Sequence, residues 1–443
     1  MSNQFETTLK RLLATWVGVL LPLALAHAQT APGDSLSLQE AVQLVVGQNP
    51  QIKQAKASLN AVDARVTQSR SSFFPSVTAT ASYSRVDPVP EIGFGTTSFK
   101  TMPNNNYNFQ VGAQMLLFDF GKRSDLIDLT LTQKGSQEKS LTMAERDLAY
   151  QTVQLFYGIL FLQESIKVQD EQIEALWQNE DRIRKRVQTG TATEFNVLTA
   201  QVRIAAAQNR RTDLVNSLQN TEIALKRLLG IPEATPLKLK GSFAYEPATF
   251  TADVLVQKAL SNRVELKMAQ ETETLARIQR SIASKGDLPT LSGRVAYGIK
   301  NGYPMDVEEL RWNFLGAVEL DVPIFTGFKV SGEKQEAEAN IYAAEAKVLD
   351  TKQLITADVA QAISGIDASM AKLKTAETQV RQAKETAQQA RVRYDNGVIA
   401  TLDLLDAEVS LSEAELTQIQ ARYNYVMSAY LLKRATGEVI WQN

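Results

Sequence analysis

The 443 residues include no cysteine and a single histidine, His27. Without Cys there is no disulfide framework, and no thiol to accept a lipid behind an export signal. His27 lies in an amino-terminal segment ordered like a secretory signal: Lys10 and Arg11, an apolar run from Leu12 to Ala26, then Ala26-His27-Ala28. Residues 1–28 are therefore read as a signal peptide. The apolar run falls short of the ~20 residues a spanning helix needs. Once the segment is removed, the chain lacks both side chains that dominate nucleophilic, general-base and transition-metal chemistry near neutral pH. No catalytic residue, cofactor site or metal site is expected, and no Walker-type phosphate loop is found. Charge of one sign is also lacking. The chain has 47 Lys plus Arg and 49 Asp plus Glu, and loss of Lys10, Arg11 and Glu6 leaves 45 and 48. No basic footprint for nucleic acid results. After residue 28 no apolar stretch reaches 18 residues, so entry into a membrane would have to be as β-strands. Proline is absent from 104 to 231 and from 324 to 443, which leaves two stretches without an obligatory helix breaker.

What is present is a repeat. At an offset of 214, Ile52 falls on Leu266, Lys53 on Lys267, Ala55 on Ala269, Pro75 on Pro289 and Tyr83 on Tyr297. At 207, Phe118 falls on Phe325, Gly158 on Gly365, Gly190 on Gly397, Leu198 on Leu405, Ala200 on Ala407 and Gly230 on Gly437. The register slips by seven between Tyr83 and Phe118, so the first copy carries the longer loop there. The domain reading is repeat 1 over 29–230, a Pro-bearing linker over 231–251 and repeat 2 over 252–443. Each repeat runs helix, strand, loop, strand, long helix, turn, long helix. Strands are expected at about 76–86 and 107–118, then 290–299 and 311–322. Helical hairpins are expected at about 122–229 and 329–436.

The apolar period describes the hairpins. Val359, Ile366, Leu373, Val380, Ala387 and Tyr394 are seven apart, and Ala362, Ser369, Ala376, Ala383 and Ala390 lie three beyond them. This is an a/d seam with a strict 3.5-residue repeat. Leu402, Leu405, Val409, Ser412, Leu416, Ile419, Tyr423, Val426 and Tyr430 continue it on the returning helix. In the first copy Ile159, Ile166 and Ile173 hold the register, Glu180 enters it, and Asn209 and Asn216 stand at apolar positions of the return. A soluble coiled-coil rod would show the same seam. Gly190 and Gly397 read as left-handed caps after the outgoing helices. The mid-helix Gly158 and Gly365 read as points of close helix packing.

The strands distinguish the two possibilities. Tyr107, Phe109, Val111, Ala113, Met115 and Leu117 alternate with Asn108, Gln110, Gly112 and Gln114. Trp312, Phe314, Gly316, Val318, Leu320 and Val322 alternate with Arg311, Asn313, Ala317, Glu319 and Asp321. Strands of 10 to 12 residues are close to the ~9 to 11 that cross a bilayer at a tilt. Phe73, Phe74, Phe118, Phe120, Phe325 and Phe328 gather at one end, with Tyr107 and Trp312 at the other, as interfacial girdles do. Glu319 and Asp321 are lumen candidates, an inter-subunit ion pair being the alternative. Four strands cannot close a membrane barrel, so subunits would pool them: two copies supply eight strands and three copies twelve.

These residues resemble the TolC-type outer-membrane efflux protein family across nearly the whole mature chain. The resemblance rests on LQEAVQLVVGQNPQIKQAKA, on Phe74-Pro75 and Leu288-Pro289 where strands begin, and on PIFTGFK after the last strand. It rests also on the turn YDNGVIATLDLLDAE and its counterpart VQTGTATEFNVLTAQ. It implies a mainly α fold with membrane β: two antiparallel long-helix coiled-coil hairpins, plus four strands contributed to a 12-stranded barrel in a homotrimer. The implied function is an export duct for small molecules or secreted proteins, surrounded by outer-membrane lipids and extending into the periplasm. It would be served by a periplasmic adaptor (membrane fusion) protein and an inner-membrane pump of RND or ABC type. The resemblance places the helix turns at a periplasmic constriction, where Tyr394, Asp403 and Asp406 match the family's tip tyrosine and ringed acids. Ile399 stands where the best-known member has a locking Arg, and Asn196 where its Asp partner lies, so a gate held differently is expected. Asp403 can also be read as a first-turn carboxylate after Thr401 as N-cap, stabilised by the helix dipole. The alternative to a duct is a structural or adhesive periplasmic rod with a small β cap.

Overall fold

The computed structural model describes residues 35–95, 97–243, 251–304 and 306–439. The expected signal peptide lies outside the described residues, as do residues 244–250 of the expected linker. Elements in chain order are β1 (Leu36–Ser37), α1 (Leu38–Gln48), α2 (Pro50–Ser71), β2 (Ser76–Arg85), β3 (Glu91–Phe94), β4 (Thr97–Lys100), β5 (Asn105–Phe118), α3 (Lys122–Gln188) and α4 (Glu194–Leu229). They continue with β6 (Leu239–Lys240), α5 (Ala252–Asn262), α6 (Val264–Ser284), β7 (Thr290–Lys300), β8 (Arg311–Asp321), α7 (Lys329–Asp395) and α8 (Thr401–Ala435).

Helices α3 and α7 each have 67 residues, or about 100 Å at 1.5 Å per residue. Each pairs twice. Near the strands α2 packs on α3 and α6 on α7, with α3 also against α6; beyond mid-length α4 takes the place of α2 and α8 that of α6, with α3 against α8. The short helices α1 and α5 lie against α3 and α7 at the changeover. The α1 start is set by a capping box in which Ser37 and Glu40 satisfy each other's backbone groups. Asn49 then caps α2 ahead of Pro50, whose missing N–H costs nothing at a first turn.

The seam along α7 buries Val359, Ile366, Leu373, Ala387 and Tyr394, with Ala362, Ala376 and Ala390. On α8 the single expected stripe is wrong in part. Leu402 is exposed, while Thr401, Leu405, Glu408 and Ser412 form one buried line and Leu404, Ala414, Ala421, Tyr425 and Leu432 another. The reason is geometric: α8 is sandwiched between α7 and α3, so it needs two buried flanks. The facing flank of α3 is also a heptad line, Leu162, Gln169, Leu176 and Ile183 with Ser165, Gln172 and Asn179. Two of its polar members bond to each other and to α8, while the buried Asn179 amide nitrogen has no partner among the described residues. Gln169 donates to Gln172 at 2.5 Å and Ser412 of α8 donates to the same amide oxygen at 3.1 Å, which penalises slippage between the hairpins. The expectation for the mid-helix glycines is not met. A Cβ on Gly365 would meet nothing within 4 Å, and one on Gly158 only Thr221 at 3.7 Å.

The four long strands form one antiparallel sheet ordered β2-β5-β7-β8. Its register places Ala79, Val111 and Tyr297 in one row and Ala81, Phe109, Ile299 and Trp312 in the next, all on one face. The opposite face carries Thr78, Thr80, Asn108, Gln110, Gln114, Ser292 and Asn313. Because side chains alternate strictly, one sheet separates the two chemistries, with Leu116 and Leu315 the large apolar exceptions on the polar face. The apolar face is exposed, with Phe109 at 52%, Phe314 at 71% and Val318 at 71%. Glu319 and Asp321 sit on the polar face opposite Ser292 and Thr290. The longer loop of the first repeat contains the extra hairpin β3–β4. Among the described residues no helix is long and apolar enough to cross a membrane.

Strand passes to helix in both repeats through two consecutive left-handed residues, Phe120-Gly121 and Gly327-Phe328. The order of Phe and Gly is exchanged between repeats, yet each Phe packs edge-on to the aromatic before it: Phe120 on Phe118 at 4.8 Å and Phe328 on Phe325 at 5.6 Å. Below the first junction, Arg123 and Asp119 form a buried ion pair at 3.2 Å. Arg123 also donates to the Ser72 carbonyl at 2.9 Å and lies 4.5 Å from the Phe73 ring centroid. One guanidinium thus joins the sheet, α2 and α3.

Candidate functional site

Both helical hairpins end in turns of the same design. Gly190, at φ 78°, follows α3, and its amide bonds to Val187 while Thr191 reaches back to Arg186 at 2.9 Å. Gly397, at φ 73°, follows α7, and Val398 reaches back to Arg393 at 2.8 Å. These paired bonds satisfy the last carbonyls of each helix, and a left-handed residue there is glycine's usual place. The second turn of each loop starts the returning helix. Thr193 caps α4 with its amide and hydroxyl both donating to the Asn196 side chain, at 3.0 and 2.7 Å. Asn196 is therefore engaged in its own helix start.

At the other turn the N-cap is Ala400, not Thr401. Thr401 is one residue inside the helix and buried, its hydroxyl 3.3 Å from that of Tyr394. Asp403 performs the capping from three residues on, accepting from the Ala400 amide at 3.1 Å. Its carboxylate is exposed and lies at the positive end of α8. Asp406, one turn further, accepts from Arg203 of α4 at 2.9 Å. Tyr394 does not face solvent: it is 1% exposed, inside an apolar cluster that includes Ile183, Val197, Ala200, Leu404 and Leu405, with Ile399 packed against it. The structure thus brings Tyr394, Asp403, Asp406 and Asn196 to one end of the hairpins and gives each a local partner. Glu319 and Asp321 are at the opposite end of the molecule, on the sheet.

Arginines that sequence reasoning passed over hold the two hairpins together. Arg186 of α3 donates to the carbonyls of Tyr394 and Asp395, the latter at 3.1 Å, and its guanidinium lies 4.2 Å from the Tyr394 ring centroid. A cation there meets the negative end of α7 as well as the ring face. Higher up, Arg203 pairs with Asp406 and Arg210 with Glu413, the second pair at 3.8 Å. Inside the α7–α8 hairpin, Arg391 grips the buried Glu408 through two bonds of 2.5 and 2.6 Å. The available signal was the sequence spacing: Arg203 and Arg210 are one heptad apart, as are Asp406 and Glu413. Between α3 and the α7–α8 hairpin lies a cavity of about 400 Å³ lined by Glu171, Glu174, Asn179, Arg182, Arg391 and Glu408. Nearby, burial pushes the Glu415 carboxyl above its ordinary value, Glu171 adds to the rise and Lys384 opposes it. No cluster of His, Cys, Asp or Glu suited to a metal ion occurs among the described residues.

Comparison with known proteins places this architecture. The family described as outer membrane efflux protein matches residues 41–231 and 255–438. The outer membrane protein TolC of Vibrio cholerae is 25% identical over 406 residues, covering 89% of each chain. Among solved structures, the outer membrane protein VceC of Vibrio cholerae superposes with a TM-score of 0.77 at 19% identity, covering 91% of this chain and 97% of that one. The CmeC outer membrane channel of Campylobacter jejuni superposes with a TM-score of 0.76 at 18% identity, covering 90% and 85%.

Proposed function

The chain belongs to the outer membrane efflux protein family, and from that premise we propose that three copies close one twelve-stranded barrel above a shared helical tunnel. The protein is an outer-membrane efflux channel that extends into the periplasm. Its fold and family are those of channel proteins. The sheet carries the trimer reading. It has a fully apolar exposed face, a polar opposite face, and two outer strands, β2 and β8, each paired on one side only. With four strands alternating in direction, β8 of one copy runs antiparallel to β2 of the next, so the ladder continues through every subunit junction and leaves no edge. Eight strands leave room for little beyond side chains, whereas twelve enclose a wider polar lumen. A second uncovered surface agrees with this. Phe195, Leu198 and Val202 form an exposed stripe on α4, spaced three and four apart, as a helix facing a neighbour requires.

In this trimer the two turns of each copy converge as the periplasmic constriction. Tyr394 and Asn196 keep the turns in shape, Asp403 presents a ring of three carboxylates, and Asp406 is held in an ion pair. Such a ring attracts cations and resists anions. Glu319 and Asp321 line the periplasmic end of the barrel lumen. The chain is a passive duct: a periplasmic adaptor protein and an inner-membrane pump of RND or ABC type deliver cargo to it and supply the energy. Cargo of small molecules or of secreted proteins fits the same duct.

The test is fractionation and conductance. The channel reading expects a detergent-stable trimer in outer-membrane fractions and discrete conductance steps in a planar bilayer. Soluble periplasmic protein giving no steps would instead support the rod.

A further inference from the structure

Helices α4 and α8 face each other across a groove floored by α3, and their facing positions keep a constant separation of 203 residues: Asn196 with Ile399, Arg203 with Asp406, Arg210 with Glu413, Ser217 with Gln420. Successive pairs are seven residues apart, about 10.5 Å along the helices. The lowest pair makes no link, because Asn196 caps its own helix and Ile399 is packed in the apolar cluster. The next two are ionic, at 2.9 and 3.8 Å. Ser217 and Gln420 line the same groove, a cavity of about 510 Å³. Asp403 lies on the acidic side of this ladder, one turn below Asp406, and has no basic partner among the described residues.

We propose that Arg203 and Arg210 set the ion selectivity of the channel by masking two acidic rings in the resting state and unmasking them when the hairpins separate. The proposal rests on the trimeric channel reading. In the resting trimer the constriction then offers one uncompensated ring, that of Asp403. Asp406 and Glu413 stay neutralised by their arginines. Separation of α4 from α8 draws the guanidinium groups away with the first hairpin and leaves the carboxylates on the second. The open pore therefore presents three acidic rings in line and favours cations more than the resting pore does. The same pairs also resist opening. The groups are all 39 to 59% exposed, so each pair shifts an equilibrium only about twofold, but three subunits opening together multiply that to about eightfold.

The two roles separate by charge. In planar bilayers under a salt gradient, Arg203→Gln breaks the link and uncovers Asp406, so resting conductance rises and the reversal potential moves toward the cation limit. Asp406→Asn breaks the same link and uncovers nothing acidic, so conductance rises while the reversal potential moves the other way, because Arg203 is left unpaired. The charge exchange Arg203→Asp with Asp406→Arg restores wild-type resting conductance. Raised salt reduces all these differences. Trimers of Arg203→Gln and Asp406→Asn that conduct and select as wild type does would overturn the proposal while leaving the channel reading intact. Equal shifts of the reversal potential in the same direction for both variants would also overturn it, since a purely structural disturbance ignores the sign of the charge. Failure of the wild-type protein to conduct at all overturns both readings together.

Discussion

Replacing Arg186 with alanine should loosen the tip of the second hairpin from a distance of more than two hundred residues in sequence. The side chain donates to the carbonyls of Tyr394 and Asp395 and covers the Tyr394 ring at 4.2 Å. A hydrogen bond from a charged donor contributes about 1.5 to 3 kcal/mol, and a cation over an aromatic face about 0.5 to 2 kcal/mol. These do not add. Arg186 is only half-buried, and the Tyr394 carbonyl keeps its bond from Gly397 at 2.9 Å when the arginine is gone. A loss of about 2 kcal/mol per subunit is the value these bounds support, equal to about a thirtyfold rise in the opening constant. Hydrogen exchange measured by mass spectrometry on peptides spanning 392–400 reads this directly, through the amides of Gly397 and Val398 that close the turn. Arg186→Lys keeps the charge but not the planar fork, and should fall between the two. Exchange in Arg186→Ala within threefold of wild type over those peptides would refute the clasp, whatever happens elsewhere in the chain. A uniform increase over all of α7 and α8 would refute its locality.

Two further outcomes follow from buried charge. The Glu415 carboxyl has a folded pKa above its ordinary value of 4.5 through burial and Glu171, so the folded state binds that proton more tightly than the unfolded chain. The charged form therefore costs stability at pH 7, and the cost fades as pH falls through the raised value toward 4.5. Glu415→Gln should raise the unfolding temperature at pH 7 and lose that advantage at pH 4, as followed by circular dichroism melts. At the junction of sheet and helix, Asp119→Asn leaves the 8%-exposed Arg123 side chain without its carboxylate. Breaking such a pair costs about 3 to 5 kcal/mol, and the unfolding temperature of the detergent-solubilised protein, followed by circular dichroism, should fall; an unchanged temperature would show that Ser72 and Phe73 suffice to hold the guanidinium.

The long elements were legible in the sequence because their signals are periodic and local. A heptad line such as Val359 to Tyr394 states which side of a helix is buried, and the alternation around Phe109 and Phe314 states which face of a strand is apolar, without knowledge of any partner. The second flank of α8 was not legible, because one local period shows only one of two such flanks. The expected stripe is the one that meets α3 of the other repeat, through Ser412 on Gln172 and Tyr423 on Phe161, while Ala421, Tyr425 and Leu432 pack with Val359, Ile366 and Leu373 of α7. Leu402 looked like core for the same reason: apolar character shows what can be buried, while neighbours decide what is. At the tip, the acids Asp403 and Asp406 were found by motif, yet what each one bonds to was not. The cap moved from Thr401 to Ala400 because Tyr394 draws the Thr401 hydroxyl inward.

Order and periodicity along the chain thus determined two repeats, two hairpins about 100 Å long and a sheet with one wet and one apolar face, since each depends on residues within a few turns of one another. Tertiary structure alone decided how the repeats meet. Arg186 on Tyr394, Arg203 on Asp406 and Arg210 on Glu413 each join residues some two hundred positions apart, and only the lateral packing of α3 on α8 brings those distant positions level. A side chain's charge is written in the sequence. Whether it is spent on a partner or left to face the pore depends on what the fold sets beside it.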